Sequence, residues 1–301
     1  MKIIISGSSG LVGSALVTDL ENSGHEVVRL VRPPRQPARG EALWDPSGGS
    51  LDAAVVSGAD AVVNLNGRSI GQGRWNDQVK NELRSSRLDA TRTIAAAIAA
   101  SPRPPAVLIN ASATGYYGDR ADEPLDEASD PGNGFLADLC RDWEAAATAA
   151  ASPHTRVVML RLGMVVSSGG GALEKMLLPF KLGLGGPIGS GRQFWPWIGL
   201  SDVIGTVRFA VDAPDLRGPV NVVAPQETRC SEFVRTLGAV LHRPAVLPLP
   251  AFAARAALGE MAESLLLAST RVRPAALEAA GYAFTHPKLE DALRDALVNG
   301  V

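Results

Sequence analysis

The chain has little with which to build a disulfide framework or a metal centre. Its 301 residues include two cysteines, Cys140 and Cys230, so no covalent staple is expected and a reducing compartment fits. The four histidines, His25, His154, His242 and His286, are scattered, and none pairs with another ligand at a metal spacing. No metal is therefore expected. Charge of one sign is also missing: 29 Lys and Arg stand against 31 Asp and Glu, with no basic run. That argues against nucleic acid as a partner. No apolar run approaches the roughly 20 residues that span a bilayer, so no membrane partner is expected. The first residues already read as a strand, so a signal peptide is not expected and a cytoplasmic location follows. There are no internal repeats and no low-complexity tail. What remains is a chain with an ordinary 46% hydrophobic share. It is long enough for one large α/β domain or two unequal lobes.

What is present begins at residue 2. KIIIS (Lys2 to Ser6) is a short, β-branched apolar run, as a buried strand requires. GSSGLVG follows, and then SALVTDLENSG, with apolar residues at helical spacing and a stop at Gly24. The order is strand, glycine turn, helix. The spacing is GxxGxxG, at Gly7, Gly10 and Gly13, and not the commoner GxGxxG. Gly7 lets the chain leave the strand in a conformation that a side chain forbids. Gly10 lets the backbone approach a pyrophosphate, and Gly13 lets the helix pack against the sheet. Free N–H groups and the positive end of the helix dipole then face the phosphates. Many loops are rich in glycine, but this one sits where dinucleotide binding needs it.

The second strand, EVVRLVR, ends at Arg32. An NAD site places Asp or Glu near this point, to hold the ribose 2′-hydroxyl. A guanidinium there welcomes a 2′-phosphate instead. NADP(H) is therefore expected over NAD(H), with Arg32 as the main clamp and Ser9 as a second donor. The plainer alternative is a solvated arginine at a strand end.

Further along, strands are expected at Ala42 to Trp44, Ala61 to Leu65, Pro105 to Ser112, Arg156 to Val166 and Pro219 to Val223. Helices are expected at Trp75 to Ala100, Phe135 to Ala151, and Ser201 to Val211 with Ser201 as N-cap. Asp119 to Gly134 reads as an exposed acidic loop. The remainder reads as helical: Cys230 to Leu241, Phe252 to Leu267, Pro274 to Ala280 and Lys288 to Leu297. Strands alternating with helices imply an α/β fold, a doubly wound parallel sheet of Rossmann type. A smaller, mostly helical C-terminal lobe completes it. The expected division is 1–166, with 197–224 returning to it, and 167–301 on the substrate side. A second glycine-rich stretch, Gly183 to Gln193, has no strand before it and reads as a substrate-side loop.

The chain resembles an extended short-chain dehydrogenase/reductase of the NAD-dependent epimerase/dehydratase family. GxxGxxG at Gly7, NLNG at Asn64 to Gly67, SATGYYG at Ser112 to Gly118, RLG at Arg161, WIGLSDV at Trp197 and GPVNV at Gly218 fall in the family's order. RWNDQVKNELRSSR, FLADLCRDWE and LGLGGPIGSGRQ resemble the atypical YfcH-like, or SulA-like, branch. The resemblance implies coenzyme contacts at Gly7, Ser9, Gly10, Leu11, Val12, Gly13, Arg32, Asn66 and Gly67. It also places Asp45 where the family often contacts adenine.

The departures concern the chemistry. Ordinary members carry YxxxK on the helix beginning at Phe135, where tyrosine exchanges the proton and lysine lowers its pKa from about 10. With Glu144 registered on the family's helix glutamate, Leu136 falls at the tyrosine and Cys140 at the lysine. Arg87 takes the place of an asparagine on the preceding helix. Ser112 keeps the family's hydrogen-bonding serine. The replacement constellation is then Ser112 with Tyr116 or Tyr117 as proton donor and Arg87 as fixed charge. The alternative is that the tyrosines pack and Arg87 pairs with a carboxylate. Arg192 and Trp197, with Gln193 and Trp195 nearby, are the substrate-binding candidates, against a reading as ordinary packing. Asp138, Asp142 and Glu144 read as a solvated helix face, and Cys140 as a small buried residue.

The expected function is an NADP(H)-dependent oxidoreductase or epimerase acting on a small carbonyl or sugar-nucleotide-like substrate. The alternative is a catalytically weak NADP(H)-binding sensor. Nothing in the sequence fixes the assembly, and a homodimer stays open.

Overall fold

The computed structural model describes residues 1–34 and 36–298. Five strands open the chain: β1 (Lys2–Ser6), β2 (Glu26–Val31), β3 (Glu41–Leu43), β4 (Ala61–Asn64) and β5 (Val107–Ala113). β6 (Pro124–Leu125), β7 (Arg156–Leu162), β8 (Met164–Val166), β9 (Trp197–Gly199), β10 (Gly218–Val222) and β11 (Arg271–Val272) follow. Seven of them form one parallel sheet in the order β10-β7-β5-β4-β1-β2-β3. Strand order reverses at β1, where β2 lies on one side and β4 on the other. In an open α/β sheet such a reversal opens a crevice at the carboxyl ends of the strands.

The sheet is buried on both faces. Helices α1 (Leu11–Asn22) to α4 come from the first half: α2 (Ala53–Val56), α3 (Asp77–Ala99) and α4 (Phe135–Thr148). Leu16, Val17 and Leu20 of α1 pack on Ile3 and Ile5, joined by Val203 and Val207 of a later helix. Val56, Ala90, Ile94 and Ile98 cover Ile4, Val62 and Leu108 on the other face. Each fully buried isoleucine of β1 contributes about 1.5–3 kcal/mol. That explains why KIIIS carries no polar alternation.

Several expectations need correction. Arg156 to Val166 is not one strand. Gly163 divides it: its N–H donates to Val222 O (3.1 Å), while that of Met164 donates to Pro196 O (2.8 Å). The chain thus changes neighbours, and β8 pairs with β9 in a separate two-stranded sheet. The acidic loop is not wholly exposed, because β6 pairs with β11 and Leu125 is buried. α5 (Gly171–Lys181) is followed by α6 (Leu200–Asp212), whose N-cap is Gly199 and not Ser201. The Ser201 hydroxyl instead meets His286 Nδ1 at 3.0 Å. α7 spans Cys230–Val240. The expected helix Phe252 to Leu267 breaks at Gly259, which has φ +62°. Among the described residues, no helix is long and apolar enough to cross a membrane.

Candidate coenzyme cleft and active site

The first βα turn lies at the reversal point. Gly7 has φ +73°, and a Cβ there would stand 2.7 Å from the Leu65 carbonyl. A Cβ on Gly13 would land on the Gly7 carbonyl, so this glycine serves helix–turn contact rather than helix–sheet contact. A Cβ on Gly10 would meet only the Gly7 oxygen, at 3.4 Å, and otherwise faces open space. Gly10 caps α1 with no side-chain hydrogen bond, and no acidic residue occupies the first turn. The leading N–H groups of Leu11, Val12 and Gly13 therefore stay available, as an anion site requires.

A cleft of about 590 Å³ adjoins this turn, lined by Gly7, Ser9, Arg32 and Asn66 among others. Arg32 is exposed at the end of β2. Asp45 does not join it. Its carboxylate accepts from the Ser47 N–H (3.0 Å) and hydroxyl (2.5 Å), closing its own turn, and these bonds lower its pKa. Trp44 lines the cleft in its place. Asn66 is fixed through Nδ2 to Ser86 O (3.1 Å) and through its N–H to Asn64 Oδ1 (3.3 Å). Behind it lies a buried polar chain. Ser6 Oγ donates to Asn64 Oδ1 (2.6 Å), and Asn64 Nδ2 donates to Thr91 Oγ1 (2.9 Å) and Asn110 Oδ1 (2.6 Å).

The far end of the sheet is built differently. Ser112, buried at the end of β5, donates its hydroxyl proton to Glu144 Oε1 at 2.7 Å. A substrate oxygen would have to displace that bond, so Ser112 is not a free donor. Glu144 is not solvated: Arg161 grips it in a fork, Nε to Oε1 and Nη2 to Oε2, both 2.9 Å. Burial alone would lower the Arg161 pKa, but hydrogen bonding and the charge of Glu144 raise it overall. Sequence reasoning missed this pair. The available signal was an arginine inside the apolar run RVVMLRL, which calls for a buried anion.

Tyr117 is committed internally and does not serve as the proton donor. It is fully buried, and its hydroxyl bonds Asn221 Oδ1 (2.7 Å), Asp126 O (2.9 Å) and Arg161 Nη1 (2.9 Å). Burial pushes its pKa up to about 12 against the opposing pull of Arg161. Tyr116 differs. It is half-buried, its ring lies 3.5 Å from the Arg161 guanidinium carbon, and its hydroxyl has no partner among the described residues. Arg87 does not provide the fixed charge beside the tyrosines. Its Nη1 and Nη2 donate to the carbonyls of Leu83 (3.1 Å) and Arg68 (3.0 Å), its guanidinium stacks on Trp143, and it abuts Gly67. It props the Asn66–Gly67 turn, and burial lowers its pKa. Arg161 is the cation that the tyrosines share. Cys140 is fully buried, and its thiol is pushed up to about 12, first by burial and then by Glu144. It behaves as a packed residue and not as a nucleophile.

Trp197 is not the ligand platform that the sequence suggests. It is 1% exposed and its indole N–H donates to Thr228 Oγ1 at 2.9 Å, so it cannot stack on a ligand. Trp195 and Gln193 are likewise buried and bonded to the Leu266 carbonyl. Arg192 is exposed, close enough for its charge to help lower the Asp122 pKa, a shift led by the Arg229 hydrogen bond.

A parallel sheet that reverses at β1, with a glycine turn at the reversal, defines a Rossmann-type dinucleotide fold. The chain belongs to the NAD dependent epimerase/dehydratase family, which it matches over residues 3–223. Residues 249–296 match a domain of unknown function, DUF1731. Epimerase family protein Mb2239 of Mycobacterium bovis is 45% identical over 292 residues, covering 97% of this chain and 96% of the relative. Human epimerase family protein SDR39U1 is 39% identical over 298 residues, covering 98% and 99%. The crystal structure of human SDR39U1 (isoform 2) with NADPH superimposes with a TM-score of 0.90 at 38% identity, covering 99% of this chain and 100% of that one. The nucleoside-diphosphate sugar epimerase from Corynebacterium glutamicum gives a TM-score of 0.81 at 33% identity, covering 100% of this chain and 59% of that one.

Proposed function

We propose that this chain is an NADP(H)-dependent oxidoreductase or epimerase of the extended short-chain type. It would act on a carbonyl or sugar-nucleotide-like substrate. The observation that carries the coenzyme half is the open glycine cradle beside an exposed Arg32 in one cleft. Bound coenzyme supplies a hydride donor or acceptor at its nicotinamide. The amides of Leu11, Val12 and Gly13 bind its pyrophosphate, and Ser9 and Arg32 take the 2′-phosphate. The turn at Asn66 and Gly67, propped by Arg87, borders the coenzyme. The bound NADPH of human SDR39U1, a relative of matching fold, supports this choice.

Proton exchange falls to Tyr116, whose hydroxyl is uncommitted and whose ring rests on a locked guanidinium. Ser112 and Glu144 hold Arg161 in place beneath it. Arg192 remains the substrate-side cation. Residues 1–166 with 197–224 serve as the coenzyme domain and the rest of 167–301 as the substrate lobe. Free, unpaired Cys140 and Cys230 accord with a cytoplasmic location.

A second reading has its own support. Leu136 and Cys140 replace the tyrosine and lysine, and Ser112 is committed to Glu144. A weakly catalytic NADP(H)-binding sensor would tolerate these losses. Calorimetric titration with NADPH and NADH, before and after Arg32→Ala, tests the coenzyme choice. Screening carbonyl compounds and nucleotide sugars for NADPH oxidation tests catalysis. Tyr116→Phe should then lower kcat by about 10²–10⁴-fold with coenzyme affinity unchanged. Retained binding without turnover on any class would favour the sensor.

A further inference from the structure

Arg29 is the anomaly of the coenzyme cleft. It sits inside β2, in register with Ile5 of β1 and Glu41 of β3. Its side chain lines the cleft that Gly7, Ser9 and Arg32 also line. A guanidinium within an apolar strand costs desolvation unless an anion or acceptors compensate it. Among the described residues no side chain bonds the half-buried Arg29 guanidinium. The Arg29 Nε is buried with no hydrogen-bond partner. Glu41, across the strand pair, turns one oxygen to the Ala38 N–H at 2.9 Å. Arg161 shows what a buried arginine of this fold looks like when it is structural, with a carboxylate fork on two of its nitrogens.

We propose that Arg29 is the inner jaw of a two-guanidinium clamp, with Arg32 as the outer jaw, that closes on the 2′-phosphate of NADP(H). This rests on the coenzyme reading above and extends it to a residue outside the glycine turn and the strand end. The charge requirement supports it. A phosphate monoester carries about −1.5 to −2 charges at neutral pH, more than one exposed guanidinium neutralises. The unbonded Arg29 Nε is a donor that an anion could satisfy. Arg32, just past the end of β2, brings the second positive charge to the cleft.

The test uses the full chain with Arg29→Met, which keeps the length and removes the charge, and Arg29→Lys. Calorimetry reads Kd for NADPH and NADH, with 2′,5′-ADP and 5′-AMP as probes of the phosphate alone. Thermal unfolding of the coenzyme-free protein is followed in parallel. Arg29→Met should weaken NADPH and 2′,5′-ADP by about tenfold or more, with NADH and 5′-AMP within about twofold. Arg29→Lys should recover part of the loss, and the Tm without coenzyme should not fall. An unchanged NADPH-to-NADH ratio, or equal weakening of both, would overturn the clamp. So would a lowered Tm with preference intact, since that marks a structural arginine. If the parent protein bound neither nucleotide, the coenzyme reading itself would fail, and the inference with it.

Discussion

The two ends of the sheet's carboxyl edge present opposite chemistry. Beside β1 and β2, polar groups are left over: amide N–H groups at the head of α1, the Arg32 guanidinium and the Arg29 Nε. Beside β5 and β7, almost every group is spent internally. Ser112, Glu144, Arg161, Tyr117 and Asn221 form one closed chain of bonds. Unsatisfied donors next to a cavity mark where a ligand completes the structure, while a saturated network marks where the fold holds itself. Only Tyr116 stands on the border, ring engaged and hydroxyl free.

Cutting the saturated end should do the most damage to stability. Arg161→Ala leaves the Glu144 carboxylate buried and unpaired, so unfolding in urea should show a loss of about 3–5 kcal/mol. A loss below about 1 kcal/mol would erase the contrast between the two ends. At the open end, Gly13→Ala drives a methyl into the Gly7 carbonyl and should cost about 1–3 kcal/mol. Gly10→Ala should leave stability within about 0.5 kcal/mol yet weaken NADPH, because its methyl enters the cradle and not the core. Equal calorimetric binding by Gly10→Ala and the parent would show that the cradle is not a phosphate seat.

The smallest effect is alkaline. The Cys140 thiol rises from 9.0 to about 12 and the Tyr117 hydroxyl from 10.0 to about 12, both chiefly through burial. Above the unfolded values the folded state keeps protons that the unfolded chain releases. The contribution is therefore whole below about pH 9 and drains away as pH climbs toward 12. Tm should drop across that window, and Cys140→Ala should flatten the decline. A slope that ignores this substitution would mean that Cys140 is more open than its burial implies.

The open end was legible in the sequence because it is local. Strand, turn and helix lie within residues 2–22, and Gly7 and Gly13 each answer a nearby steric demand. The saturated end was not, because its partners are distant in sequence. Glu144 looked like part of a solvated acidic face, since helical spacing alone does not reveal Arg161 on β7. Trp197 looked like a ligand platform, although Thr228 holds its indole inside the core. The break at Gly163 hid within a continuous β-branched run, because an apolar strand reads the same whichever sheet it joins. Arg29 is one charge amid EVVRLV that no spacing singles out, and its orphaned Nε emerges only in the fold.

The short pairing of β6 with β11 has a consequence for how this molecule is made. β11 leaves the ribosome long after β6, and Arg273 O, which accepts from the Asn221 amide, emerges with it. Until that late segment arrives, the stretch following Tyr117 has no strand to lean on. Synthesis therefore delivers the first glycine turn well before the opposite rim can close. Such distant closure favours slow completion and gives chaperones a defined window in which to act.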